Sequence, residues 1–521
     1  MPRPSILRDA NLPSPVNGMN LADPASALPA SEAALLLNTV SGEGGLMARP
    51  GFQEHATALP SNARSLLAFH GSEQGEDRFF AALDAGIYDI TASGTNTLVY
   101  TFPVVGAQSG KGVAASYAST AGRFLLYADE SNGYLRYSQA SHDWVAPTLS
   151  GGVTAADIVF VLPWKNRVWL VEKNSSTAWY LDLEAIQGAA TPFDFGRHFK
   201  RGGYLIGLWN WTRDGGSGAD DKLVALSSGG DIVVFEGTDP AIDTTFNIVG
   251  SWNVGAFPAG RRLCKSNGGD LLILTTQGLL NLEKLLNGAD DAALYDTRKL
   301  RPLFVSTMQT QRTLDGWELE ILPQDAVLLV NTPGPAGGVQ EQFALSLSSQ
   351  GWSRWRGLDI FTMTTWQGQV YFATRTGTVC RLTGYLDNVA LDGSTLAAKE
   401  VECWALHAYT TGGNTRRKQV RMMKPYFRTL SAQPSVATFA RYDYDTTLPN
   451  DLSVSSGVAS SALWGVAQWG QALWGASEGV ARRVKGAKGI GTAVSAGVYW
   501  KSLGRAVLIE TAIWWEEGGA L

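Results

Sequence analysis

The sequence predicts a mostly β chain: a β-propeller of six or seven blades with an N-terminal extended arm and a C-terminal β-sandwich-like domain. Three observations predict it. Glycine is abundant, 58 of 521 residues, which is about 11% against a usual ~7%. Charged residues are scarce, at 17% against ~25% in a typical globular domain. A unit of apolar strand, polar turn and apolar strand recurs along the middle of the chain. Glycine costs about 1 kcal/mol in a helix interior, so this composition suits tight turns between strands better than long helices.

Residues 1–63 read as an extended, proline-rich arm. Pro2, Pro4, Pro13, Pro15, Pro24, Pro29, Pro50 and Pro60 punctuate it, and proline removes donors and pushes its predecessor to extended geometry. One short helix is expected at Ser31–Asn38, with Ser31 as its cap. The opening MPRPSILRDANLPSP has no apolar stretch, so no secretory signal is expected there.

Residues 64–398 hold the repeats. Hairpins are expected from near Phe79, Phe124, Val168, Leu223, Leu271, Val327 and Val370, with starts 43 to 56 residues apart, near the length of a propeller blade. Strict alternation is masked inside these strands, as expected where both faces are buried. Tryptophans between hairpins, such as Trp144, Trp211, Trp252 and Trp352, are sized to fill gaps between neighbouring sheets. One interruption, AALYDTRKLRPLFVSTM, predicts a short helix around Leu294–Leu300 ended by Pro302. Stacked β-sandwiches are the competing architecture.

Residues 399–521 form a second β unit with a different charge. Residues 401–521 contain 13 Lys/Arg and 8 Asp/Glu, a net +5, which leaves −10 for residues 1–400 within the overall −5. The stretch SSALWGVAQWGQALWGASEG places Trp464, Trp469 and Trp474 five residues apart, a spacing that fits neither a helix face nor a strand face. It reads as a loop that presents three aromatics, or that packs them on its own sheet.

The search for chemistry yields no catalytic set, so no enzyme, cofactor or metal is expected. The five histidines are dispersed, and no Walker A loop, G-x-S-x-G or H-E-x-x-H is present. The three cysteines are too far apart for a zinc knuckle or a disulfide framework. The segment RDGGSGADDK, with Asp214, Asp220 and Asp221, departs from the Ca²⁺-loop pattern and reads as a solvated turn. No segment has the ~18 continuous apolar residues of a membrane span. Two basic clusters remain: Arg416, Arg417, Lys418, Arg421 and Lys424, then Arg482, Arg483, Lys485 and Lys488. They are either contacts with phosphate or carboxylate surfaces or ordinary solvated strand ends. Neither cluster has interleaved aromatics for base stacking.

Several short motifs together resemble one family. They are Leu12–Pro29 (LPSPVNGMNLADPASALP), Leu36–Asn38, Arg49–Phe52 (RPGF), Tyr180–Leu181, Ala189–Phe195, Phe199–Tyr204 (FKRGGY), Trp211–Asp221, Phe235–Asp239 (FEGTD), Gly260–Arg262, Gly268–Leu272 (GGDLL) and Glu517–Leu521 (EGGAL). The chain thus resembles the tail nozzle, or distal tail tubular, proteins of podoviruses and the related hubs that stabilise packaged DNA. The resemblance implies a virion tail component assembled in the host cytoplasm. It would be a propeller-containing subunit that rings itself, as a hexamer, beneath a tail adaptor protein and beside tail fibres or spikes. Double-stranded DNA would pass through the lumen without sequence-specific binding. An acidic or neutral propeller lumen would suit such passage. Arg416, Arg417, Lys418, Arg421, Lys424, Trp464, Trp469 and Trp474 are then the candidate subunit or adaptor contacts. The alternative is a propeller lectin or glycosidase acting on host surface polysaccharide.

Overall fold

The computed structural model describes residues 7–42, 44–214, 219–242, 245–289, 294–335, 338–429, 433–450, 452, 454, 479–482 and 485–518. Strands hold 50% of the residues and helices 6%, so the chain is mostly β as its glycine and charge content predict.

Seven antiparallel sheets follow one another along the middle of the chain. The first comprises Ser65–Phe69, Arg78–Ala82, Gly86–Asp89 and Thr97–Thr101. The second runs from Gly112–Ser119 through Gly122–Asp129 and Gly133–Ser138 to Trp144–Val145. The third is built on Ile158–Trp164, Arg167–Glu172, Thr177–Leu181 and Gly188–Asp194, with Leu149–Ser150 added in parallel. The fourth has Leu205–Asp214, Ala219–Ser227, Asp231–Gly237 and Phe246–Asn253. The fifth stops at three strands: Cys264–Asn267, Asp270–Thr275 and Gly278–Asn281. The sixth contains Glu318–Leu322, Val327–Asn331, Glu341–Ser346 and Trp352–Arg356. The seventh has Thr362–Trp366, Gln369–Ala373 and Val379–Leu382, and takes its fourth strand, Phe52–Ala56, from near the N-terminus. Each hairpin expected from the sequence is the second and third strand of one of these sheets.

The masked alternation has its cause in packing. Phe80 and Ala82 join Leu125, Tyr137 and Trp144 of the second sheet, while Phe79 and Ala81 join Trp366, Tyr371 and Ala373 of the seventh. In the sixth sheet, Leu328 and Val330 face the cluster that includes Leu271 and Ile273, whereas Val327 and Leu329 face Met363 and Phe372. The central strands of the first and sixth sheets thus bury both faces against different neighbours, so they have no polar side to show. Burying each of Phe79 and Phe80 is worth about 1.5–3 kcal/mol. The first strands also meet in order: Ser65–Phe69 packs against Gly112–Ser119 on one side and Thr362–Trp366 on the other.

Two expected helices are corrected. Ala33–Leu37 is a strand, paired with Cys403–His407 and, at Leu37, with Arg354. Its alanines and leucines are nearly all buried, and partners from distant parts of the chain override local helix propensity. Pro302 opens a helix rather than ending one. A single 3₁₀ turn, Arg298–Leu300, leads into helix Arg301–Gln311 with Pro302 in its first turn, where the missing N–H costs nothing. This helix buries Phe304 and Met308, and the Gln311 carbonyl accepts a 3.0 Å hydrogen bond from Trp317 Nε1. Trp317→Phe is expected to cost about 0.5–1.5 kcal/mol through the lost hydrogen bond, read as a lower urea midpoint; the Gln311 carbonyl keeps the Leu314 amide as a second partner at 3.0 Å.

Apart from Phe52–Ala56, which belongs to the seventh sheet, the strands of the proline-rich segment are built into the C-terminal unit. Leu7–Pro13 pairs with Ala506–Glu517, which also pairs with Lys418–Thr429. Thr39–Gly42 and Gly45–Ala48 extend the same sheet, as do Gly479–Arg482 and Lys485–Gly486 on its other side. A second sheet runs Ala33–Leu37, Cys403–His407, Val494–Lys501 and Ser435–Tyr442, and continues from the sixth sheet. Val420, Met423, Ile513 and Trp515 of one sheet pack with Val494, Ala496 and Ala440 of the other.

Candidate functional site

Members of the two basic clusters, distant in sequence, lie on neighbouring strands: Lys418, Arg421 and Lys424 on one, Arg482 and Lys485 on those beside it. Tyr426 lies opposite Arg482, and Met423 opposite Lys485. Arg416, Arg417 and Arg421 are exposed, whereas Lys418 is fully buried. The Lys418 ammonium donates to the carbonyls of Asn414 (2.9 Å), Arg416 (2.9 Å) and Thr492 (3.1 Å). Burial pulls its pKa below the ordinary lysine value, partly opposed by Glu517. Lys418 therefore ties a loop to the sheet, and its charge does not face outward.

The exposed members are partly neutralised. Arg421 pairs with Glu516 at 2.7 Å, and Arg416 approaches Glu517 at 3.9 Å. Lys424 Nζ sits 4.9 Å from the centre of the Tyr426 ring, and Met422 lies opposite Trp514. Aromatics therefore do accompany this cluster: Tyr426 comes two residues after Lys424, and Trp514 comes from a strand some ninety residues away. Trp464, Trp469, Trp474 and Arg483 lie outside the described residues.

No group of three or more His, Cys, Asp or Glu suited to a metal occurs among the described residues. Residues 215–218 of the aspartate loop lie outside them. His55 bonds to the Ile90 carbonyl at 2.8 Å within a shell of Phe79, Trp366 and Tyr371. The cysteines are free, and burial pushes the Cys380 thiol up to about 12, far from a reactive thiolate. No described helix is long and apolar enough to cross a membrane.

A different site emerges where the first strands of the sheets converge. Two adjoining cavities, of about 580 and 340 Å³, share Arg261, Arg262 and Glu318 in their walls. Glu318 and Glu320 alternate on one strand and so project to the same side. Arg262 meets Glu318 at 3.1 Å and donates to Thr362 Oγ1 at 2.6 Å and to the Gly112 carbonyl at 2.8 Å. Glu318 also accepts from the Met363 amide at 2.8 Å. Burial pushes its pKa above the usual carboxylate range, with the nearby Arg262 guanidinium opposing. Lys265 meets Glu320 at 2.5 Å, and Glu320 accepts from Thr365 at 2.9 Å. Arg261 pairs with Glu130 and donates to the Ile206 carbonyl. These contacts stitch the second, fourth, fifth, sixth and seventh sheets together.

The walls of these two cavities are lined by cations and carboxylates in pairs. Cavities of this size do not admit a duplex, whose major groove alone is about 12 Å wide. This site is not among the residues expected from the sequence, although the alternation in WELEIL is a visible signal of two carboxylates on one face of an otherwise apolar strand.

No family model and no curated protein matches the chain. Among solved structures, it is similar to the extracellular domain of a putative hybrid two-component system from B. thetaiotaomicron. The TM-score is 0.39 at 12% identity, covering 62% of this chain and 41% of that one, so the chain spans about two fifths of that length. The computationally designed Ika8 protein is similar with a TM-score of 0.36 at 8% identity, covering 70% of this chain and 98% of that one. At this similarity neither carries an argument about the chain.

Proposed function

We propose that the chain is a ring-forming structural subunit of a short-tailed phage tail, a nozzle or hub beneath the adaptor, whose seven sheets are the blades of a propeller. The observation that carries this reading is the placement of the motifs behind the resemblance. Arg49 of RPGF is buried in an ion pair with Asp387. Arg261 and Arg262 tie sheets together at the axis. In FKRGGY, the Arg201 amide donates to buried Asp231 at 2.7 Å. Asp270 of GGDLL accepts from the Glu283 amide at 3.0 Å. Motif residues that hold joints, rather than reacting groups, are what a scaffold needs.

The packing of the first sheet against both the second and the seventh supports a closed propeller. The engagement of Glu318 and Glu320 by cations favours the structural reading over a glycosidase, which needs one carboxyl group free as acid and another as base or nucleophile. With the axis of each chain filled, the genome conduit lies between subunits of the ring. Head-to-tail rings use heterologous contacts, and the sheet bearing Arg416, Arg417 and Arg421 is the proposed contact surface for a neighbour or the adaptor.

Native mass spectrometry and particle imaging test the reading. A closed ring, a hexamer, with a bore wide enough for duplex DNA is expected. A protein that stays monomeric at high concentration and never joins an assembled tail would overturn it. Charge reversal of exposed Arg416, Arg417 and Arg421 to Glu is expected to block ring or adaptor assembly while leaving the monomer folded. Unchanged assembly removes this surface from the proposal.

A further inference from the structure

The mouth of the axial cavity has more positive than negative groups, and its partners are specific enough to count. Arg64, Lys111, Arg261, Arg262 and Arg312 line it, against Glu130, Asp315 and Glu318. Lys111 is paired with Asp315, Arg261 with Glu130 and Arg262 with Glu318. Two guanidinium groups are left over. Arg64 gives its Nη1 to the Gly106 and Ser109 carbonyls, at 2.6 and 2.8 Å, which neutralise no charge. Arg312 is exposed at the end of helix Arg301–Gln311. Neither meets a carboxylate within ion-pair distance among the described residues.

We propose that this mouth binds a small soluble ligand bearing carboxylate or phosphate groups, of the size of an acidic monosaccharide. Surplus positive charge in a concave, partly dehydrated site is stabilised by an oxyanion more strongly than in open water. Guanidinium groups offer the planar, paired donors that carboxylate and phosphate oxygens accept. Tyr204, Phe257 and Phe361 supply apolar wall beside them, and Tyr204 is 43% exposed. A cavity of about 580 Å³ falls in the ordinary range for small-ligand sites. The entry loops turn at Gly260 (φ +105°) and Gly316 (φ +121°), a conformation that side-chain-bearing residues rarely adopt. The site stands apart from the virion reading, since it concerns one chain alone and is independent of ring formation.

The test is calorimetric titration of the full-length protein with glucuronate and with inorganic phosphate. Glucose and sodium chloride at matched ionic strength serve as controls. Saturable binding of at least one oxyanion, weakened by added salt, is expected, with no binding of glucose. Arg312→Gln, at an exposed position with no ion pair, is expected to weaken it by about tenfold or more, near 1.4 kcal/mol. Arg505→Gln, at an exposed position in the C-terminal unit, should leave it unchanged. Circular dichroism checks that both variants are folded, and Tyr204→Ala gives a second lesion in the cavity wall. No heat beyond the chloride control, or equal binding by the wild type, Arg312→Gln and Tyr204→Ala, overturns the proposal.

Discussion

Replacing Arg49 with Met is expected to remove about 3–5 kcal/mol of stability, the cost of leaving the partner of a buried charge alone. The side chain is 1% exposed. Its Nη1 and Nη2 donate to the two oxygens of Asp387 at 2.8 and 2.7 Å. Nε reaches Asn38 Oδ1 at 3.2 Å, and the Pro50 and Arg356 carbonyls accept at 2.9 and 2.8 Å. One guanidinium thus joins the N-terminal strands, the end of the sixth sheet and the segment that leaves the seventh. Arg49→Lys should recover little, because an ammonium cannot span both carboxylate oxygens. The double variant Arg49→Met, Asp387→Leu should recover most of the loss, since it removes the stranded charge as well. Urea unfolding checks all three. A loss below about 1 kcal/mol for Arg49→Met, the scale of an exposed pair, would show that the junction does not depend on this residue.

The second large effect is a loss of stability in mild acid traced to His407. Its side chain is 1% exposed, and Nε2 lies 3.1 Å from Thr511 Oγ1 on the facing sheet of the C-terminal unit. Burial pulls its pKa from 6.5 down to about 4, against a smaller opposing pull from the backbone of Pro13. The unfolded chain therefore binds a proton between those two values that the folded chain refuses. The stabilisation from neutral His407 is complete above pH 6.5 and is lost as pH falls toward 4. The full difference is about 3 kcal/mol, at 1.36 kcal/mol per unit. His55, also shifted down by burial, adds in the same direction. Denaturant midpoints between pH 7.5 and 4 should fall steeply in the wild type. The slope should be clearly shallower in His407→Gln, although that variant starts lower at pH 7.5. Parallel slopes would mean that other groups govern the acid response.

The seven hairpins were legible because their strands are apolar on both faces and their turns carry glycine, serine or asparagine. The outer and inner strands were not. Thr97–Thr101 is largely exposed, and Gly112–Ser119 is made of small and half-buried residues, so neither shows a strong pattern. Phe52–Ala56 was hidden for a different reason: its partner, Val379–Leu382, lies more than three hundred residues away, and no local signal records such a pairing. The same limit applied to the sites. The sequence displayed the charge of Lys418 but not the three carbonyls that enclose it. It displayed Glu318 and Glu320 but not the Arg262 and Lys265 that meet them from another sheet.

The pairing of Leu7–Pro13 with residues 510–516 sets a condition on synthesis. At about 5–20 residues per second, the first of these strands waits roughly 25 to 100 s for its partner to leave the ribosome. Phe52–Ala56 waits in the same way for the seventh sheet. Until then each is an unpaired edge, open to trapping by another chain. A chain that stops before Ala506 leaves Lys418–Thr429 and Leu7–Pro13 without the strand between them. Pairing strands about five hundred residues apart in this way acts as proofreading, because only a chain translated through Ala506–Glu517 can cover the edge of Leu7–Pro13.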